Sequence, residues 1–256
     1  MIYGVAWFRQ KSPSFSRLLF WVAGVAAFAI STSPWMETLA SETFTGHMVQ
    51  HLLMIVLAAP LLVFAEPLQT IQGGWPALRW SSRSERALAS RWRRIAPLLA
   101  PALFVAVLFV THLTGIYDAA LNNRFLHDAE HVAYVMSAVL LWVAVRGAGT
   151  SAAVGRVGTA FAVIAGSAIL GIVLLSASTP LFETYAERLG PVAALDDQRV
   201  AASLMWVGGM ATTLPLLLVA VWRWASTEEQ IADRAERLQS EQAARERLER
   251  DESQSV

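Results

Sequence analysis

Apolar residues along this chain gather into six long runs, and the charged residues fall between them. The runs extend from Leu18 to Thr32, Thr45 to Phe64, Ala96 to Leu113, Ala129 to Val145, Val157 to Ala177 and Val200 to Trp222. A helix that crosses a bilayer needs about 20 mostly apolar residues at 1.5 Å rise each. The pattern therefore predicts an all-α, polytopic membrane helix bundle with six transmembrane helices. The first run is the shortest and follows Arg9, Lys11 and Arg17, the layout of a cleaved leader. With five further runs behind it and Met1 to Phe8 itself apolar, it reads as a retained helix. From Ser226 onward the pattern ends: nine acidic residues and five arginines lie between Glu228 and Glu252. The division expected is a transmembrane domain over 1–225 and a charged cytoplasmic tail over 226–256, helical or partly disordered. Pairs such as Asp233 with Arg237 give its helical form some support.

Composition agrees, with 55% hydrophobic and 16% charged residues among 256. A soluble domain carries about a quarter of its residues charged. Formal net charge is zero, which gives no reason to expect a nucleic-acid partner. There is no cysteine, which excludes disulfides and thiolate metal sites. Orientation follows from where arginine and lysine flank the spans. Arg9, Lys11 and Arg17 precede the first; Arg79, Arg83, Arg86, Arg91, Arg93 and Arg94 separate the second from the third; Arg146 and Arg156 flank the turn after the fourth. The alternate connections carry Glu37 and Glu42, then Asp118 with Arg124, then Glu183, Glu187, Asp196 and Asp197 against Arg188 and Arg199. The assignment is both termini cytoplasmic and the acidic connections outside.

All five histidines then fall at the outer end of the bundle. His47 and His51 open the second span, His112 lies near the end of the third, and His127 and His131 open the fourth. Residues four apart lie on one helix face, about 6 Å apart along the axis. The third and fourth spans are joined by a short connection, so His112 is expected to face His127 or His131. Ionisable groups inside a membrane are costly and tend to mark function. The candidate metal set is His47, His51, His112, His127 and His131, with Met48 as a soft ligand and Asp197 as a carboxylate. Glu130, Asp118 and Met205 are the candidate supporting groups, carboxylates being able to fix a ligating imidazole's tautomer. Imidazole with thioether suits copper; three imidazoles with a carboxylate suit zinc or iron.

Three stretches carry a resemblance. "FTGHMVQHLLMIVLAAPLLVFAEPL" from Phe44 to Leu68, "THLTGIYDAALNNRFLHDAEHVAYVMSAVLLW" from Thr111 to Trp142 and "DDQRVAASLMWVGG" from Asp196 to Gly209 resemble the CtaG family of bacterial membrane proteins. These are assembly factors of caa3-type cytochrome c oxidase. The resemblance implies a multi-pass protein of the bacterial plasma membrane, not itself an enzyme, that works with cytochrome c oxidase subunits and helps supply their copper. The family's histidine motifs fall on His47 and His51, on His112, and on His127 and His131, and its last motif on Asp197, Gln198, Met205 and Trp206. Two departures stand out. Met1 to Phe8 looks like the remnant of a seventh span, and Arg199 stands where the family commonly has glutamine.

Two other functions use the same residues. Histidines on facing helices can ligate haem iron, and three histidines holding zinc beside an acid such as Asp118, Glu130 or Asp197 would make an intramembrane hydrolase. Gln50 lies on the same helix as the first histidine pair and receives no role from the sequence.

Overall fold

The computed structural model describes residues 1–78, 83–146 and 151–254; Arg79, Gly147 and Gly149 lie outside the described residues. The described residues form helices and no strand. Two short N-terminal elements come first, α1 (Ile2–Phe8) and α2 (Phe15–Ser31). At α3 (Pro34–Glu42) the chain bends by 50° from α2. Ser33 caps α3 by accepting from the Met36 N–H, and Pro34 occupies the first turn, where a missing N–H costs nothing.

The second apolar run is a helix of three parts. α4 (Phe44–Leu52) begins at Thr43, whose hydroxyl accepts from the Gly46 N–H. A π-helical stretch follows over Leu53–Ala58, and then α5 (Ala59–Phe64). The π turn precedes Pro60, whose ring would clash in a regular α-helix with the carbonyl four residues back, that of Val56. Ala59 N–H bonds back to the Met54 carbonyl, five residues away, and Pro60 has no N–H to offer the Ile55 carbonyl. The Trp142 indole N–H donates to that orphan carbonyl at 3.3 Å. Glu66 then adopts a left-handed backbone (φ 49°) and starts α6 (Pro67–Gly74). Its carboxylate pairs with both Arg17 and Arg146, tying α2, α5 and α9 together at the end remote from the histidines.

The remaining elements are α7 (Arg83–Leu113), α8 (Ile116–Asn122), α9 (Arg124–Arg146), α10 (Ser151–Ser176), α11 (Glu183–Leu189) and α12 (Pro191–Gln254). α7 packs on α9 and α10, α10 lies along α12, and α12 returns against α4. Among the described residues, four helices are long and apolar enough to cross a membrane, at Phe44–Gly74, Arg94–Leu113, Arg124–Arg146 and Val157–Ser176. The bent pair α2 and α3 makes up to five. The chain is thus an all-helical protein fitted to multi-pass membrane insertion, and four of the six expected spans coincide with these helices. The fifth falls on the bent pair, and the sixth lies within α12. The charged C-terminal stretch continues α12 as helix to Gln254.

Candidate metal centre

Two parallel helices that are not neighbours in sequence carry the histidines. On α4, His47 and His51 are one turn apart with ring centroids 4.2 Å apart; on α9, His127 and His131 repeat that separation at 4.2 Å. The two pairs meet rung for rung. His47 lies 5.7 Å from His127 and His51 lies 5.5 Å from His131, centroid to centroid. The match requires α4 and α9 to run in the same direction, and their far ends confirm it, with Phe64 against Trp142 and Glu66 paired to Arg146.

Two carboxylates complete the ladder. The ligand atoms of His47, His51 and Glu130 all lie within 4.8 Å of one another, and so do those of Glu37, His127 and His131. Neither ring nitrogen of His47 or His51 has a hydrogen-bond partner among the described residues. The same holds for Nε2 of His131 and both oxygens of Glu130. These side chains are buried, with His47 0% and His51 3% exposed. A buried polar atom without a partner costs about 1–3 kcal/mol, so these seven atoms, gathered on neighbouring side chains, form a donor set that fits a cation.

His112 is placed differently. Its Nδ1 lies 2.9 Å from the Leu108 carbonyl, an acceptor only, and within reach of Thr111 Oγ1 (3.1 Å) and Tyr134 Oη (3.2 Å). Nδ1 therefore carries the proton, and Nε2 keeps a free lone pair. Tyr117 touches both His47 (4.8 Å) and His112 (5.7 Å), and Tyr134 touches both His51 (4.3 Å) and His112 (6.4 Å). Two tyrosine rings thus connect His112 to the ladder. Beneath them Phe44, Phe182 and Tyr185 make an aromatic floor. Burial pushes the Tyr117 and Tyr185 phenols well above their ordinary range, so both stay neutral, and Tyr185 donates to the Ala40 carbonyl at 2.7 Å.

The aspartates singled out from the sequence face backbone amides. Asp197 accepts from the N–H groups of Phe44 (2.6 Å) and Thr45 (3.3 Å), which start α4. Asp118 accepts from Thr184 N–H at 3.1 Å and Glu183 N–H at 3.4 Å at the start of α11. Both hold helices in place around the histidines. Met48 and Met205 are buried in the apolar core.

Two residues without a sequence-derived site role belong here. Glu37 reaches the α9 pair, its Oε2 being 3.6 Å from Nδ1 of His127. Gln50 donates at 2.9 Å to Oε1 of Glu37 and at 2.9 Å to the Ser31 carbonyl, fixing the carboxylate to the helix that carries His47 and His51. A cavity of about 660 Å³ opens onto this end, lined by Glu37, His127, His131, Asn122, Arg124 and Asp128 among others.

Comparison with known proteins gives a consistent picture. The family model described as cytochrome c oxidase caa3 assembly factor matches residues 1–227. Uncharacterized proteins of Mycobacterium bovis and Mycobacterium tuberculosis are each 24% identical over 255 residues, covering 91% of this chain and 38% of the relative. A third, from Mycobacterium leprae, is 24% identical over 246 residues, covering 86% of this chain and 36% of its own length. The chain therefore spans well under half the length of these relatives. No solved structure matches.

Proposed function

This chain belongs to the cytochrome c oxidase caa3 assembly factor family, and from that premise we propose that it is a membrane carrier that holds copper on its histidines and passes it to a subunit of the oxidase. The observation that supports this most directly is the set of buried imidazole nitrogens on α4 and α9 that have no hydrogen-bond partner among the described residues. Imidazole and carboxylate donors serve copper, zinc or iron; among these, copper is the cargo that the resemblance to the oxidase assembly-factor family implies. Neutral imidazoles exchange ligands readily, as delivery needs. A haem is disfavoured because Tyr117 and Tyr134 pack directly on the histidine rings, where a macrocycle would need a slot. Of the three acids a zinc hydrolase could use, Asp197 and Asp118 are occupied by the backbone amides at α4 and α11, which leaves Glu130 alone beside the histidines.

The finer topology belongs to the same proposal. Six spans, with both ends of the chain cytoplasmic, a membrane domain over 1–225 and a charged tail over 226–256, follow from the arginines flanking the apolar runs. The histidine end then faces outward from the bacterial plasma membrane. We assign Asp197, Asp118 and Met205 to shaping the site, and Met48 to packing against it. Metal analysis of the purified protein tests the reading: copper at stoichiometric level supports it, and zinc, haem or no metal overturns it. In cells, His47→Ala and His131→Ala are expected to lower oxidase copper and activity while the factor still accumulates. Normal oxidase in both variants would remove the histidines from the function.

A further inference from the structure

We propose that the ladder holds its cargo in two positions in series, a cavity-facing one at Glu37, His127 and His131 and a buried one at His47, His51 and Glu130. This rests on the copper-carrier reading and adds the number, order and accessibility of the positions. Each set brings its ligand atoms within 4.8 Å of one another. In the first, Nδ1 of His127 and Oε2 of Glu37 are 3.6 Å apart, close to the roughly 3.4 Å that two bonds of about 2.05 Å subtend at a tetrahedral angle.

The two sets differ in access. Glu37, His127 and His131 line the 660 Å³ cavity, and the Glu37 side chain is 40% exposed. His47, His51 and Glu130 are buried, and the α9 pair stands between them and the cavity. A metal ion arriving from solvent meets Glu37 and the α9 pair before it can reach α4.

The rung spacing of 5.5 to 5.7 Å makes the step between positions a displacement of a few ångströms. The step is an exchange of ligands. A metal-imidazole bond on α9 breaks as one on α4 forms, the metal keeps its oxidation state, and the neutral imidazoles neither gain nor lose a proton. Gln50 coordinates the two positions mechanically, because it lies on α4 between His47 and His51 and holds Oε1 of Glu37 at 2.9 Å. A shift of α4 therefore moves the outer carboxylate together with the inner histidines.

The test is a titration of the purified chain in lipid nanodiscs with cuprous ion supplied as its bicinchoninate complex, followed by a chase with excess bathocuproine disulfonate read by absorbance. The expected result is two equivalents bound, one released at least tenfold faster than the other. The double variant Glu37→Gln with His127→Ala should retain one equivalent, released slowly. The pair His47→Ala with His51→Ala should retain one, released fast. A single equivalent in the wild-type chain, abolished by either pair, overturns the serial arrangement and leaves the carrier reading standing. Two equivalents leaving at one rate overturn it as well. No copper bound at all removes both readings. The biphasic release of the wild-type chain decides the matter even if a variant fails to fold.

Discussion

The carboxylate of Asp197 accepts a hydrogen bond from the Phe44 N–H at 2.6 Å across a sequence separation of 153 residues. It thereby caps, from α12, the helix that carries His47 and His51. Charge-assisted caps of this kind contribute about 1–2 kcal/mol. Asp197→Ala should lower the stability of the purified protein by that much, seen as a lower unfolding midpoint, and leave its copper stoichiometry intact. Unchanged stability with lost copper would make Asp197 a ligand instead.

The buried imidazoles predict an opposite trade. In the metal-free protein each unpaired ring is a liability, so His47→Leu should raise stability by about 1 kcal/mol while abolishing binding at the buried position. Thermal unfolding after chelation measures it. A less stable metal-free variant would show that the ring has a structural partner.

Gly46 sets the approach of α3 to α4. A Cβ there would come within 2.3 Å of the Leu39 carbonyl oxygen, a backbone atom that cannot step aside alone. Gly46→Ala should therefore push α3 away at a cost of about 1–3 kcal/mol and carry Glu37 from His127. Loss of the fast-released copper equivalent, with the slow one kept, is the expected reading.

At the far end, Glu66 is buried between Arg17 and Arg146, which are about one-third exposed. Solvent screening limits what either pair contributes. Arg146→Ala should cost about 1–2 kcal/mol, seen as a lower unfolding midpoint, and leave copper binding unaltered.

The π turn yields a prediction about geometry. Pro60→Ala removes the ring that would clash with the Val56 carbonyl and restores an N–H, so the Leu53–Ala58 stretch can return to α-helix. That would rotate α4 relative to α5 by about 100° and misalign the histidine rungs. Copper affinity should fall at least tenfold, with helical content by circular dichroism unchanged.

The membrane helices and the convergence of the histidines follow from features a linear pattern carries. Apolar runs mark the spans, and a spacing of four puts His47 with His51 and His127 with His131 on one face each. Other features depend on three-dimensional partners. Glu37 looked like an ordinary acidic residue of a connection, and it reaches His127 only because the chain bends by 50° between α2 and α3. Asp197 and Asp118 carry the same carboxylate as Glu130, yet backbone amides claim them, and which N–H groups face a side chain is not written in residue type. His112 occupies the same end of the bundle as the other four, but its Nδ1 is committed to the Leu108 carbonyl, and Tyr117 and Tyr134 lie against both it and the α4 pair. Gln50 acquires a role once Glu37 is known to lie beside it.

The pairing of two imidazoles with one carboxylate in each of the two sets has an electrical consequence. A monovalent cation placed there, with the glutamate ionised, leaves no net charge in a low-dielectric interior; a divalent one leaves a surplus of one, which burial penalises heavily. On the copper-carrier proposal, the composition of each set therefore favours the cuprous over the cupric ion.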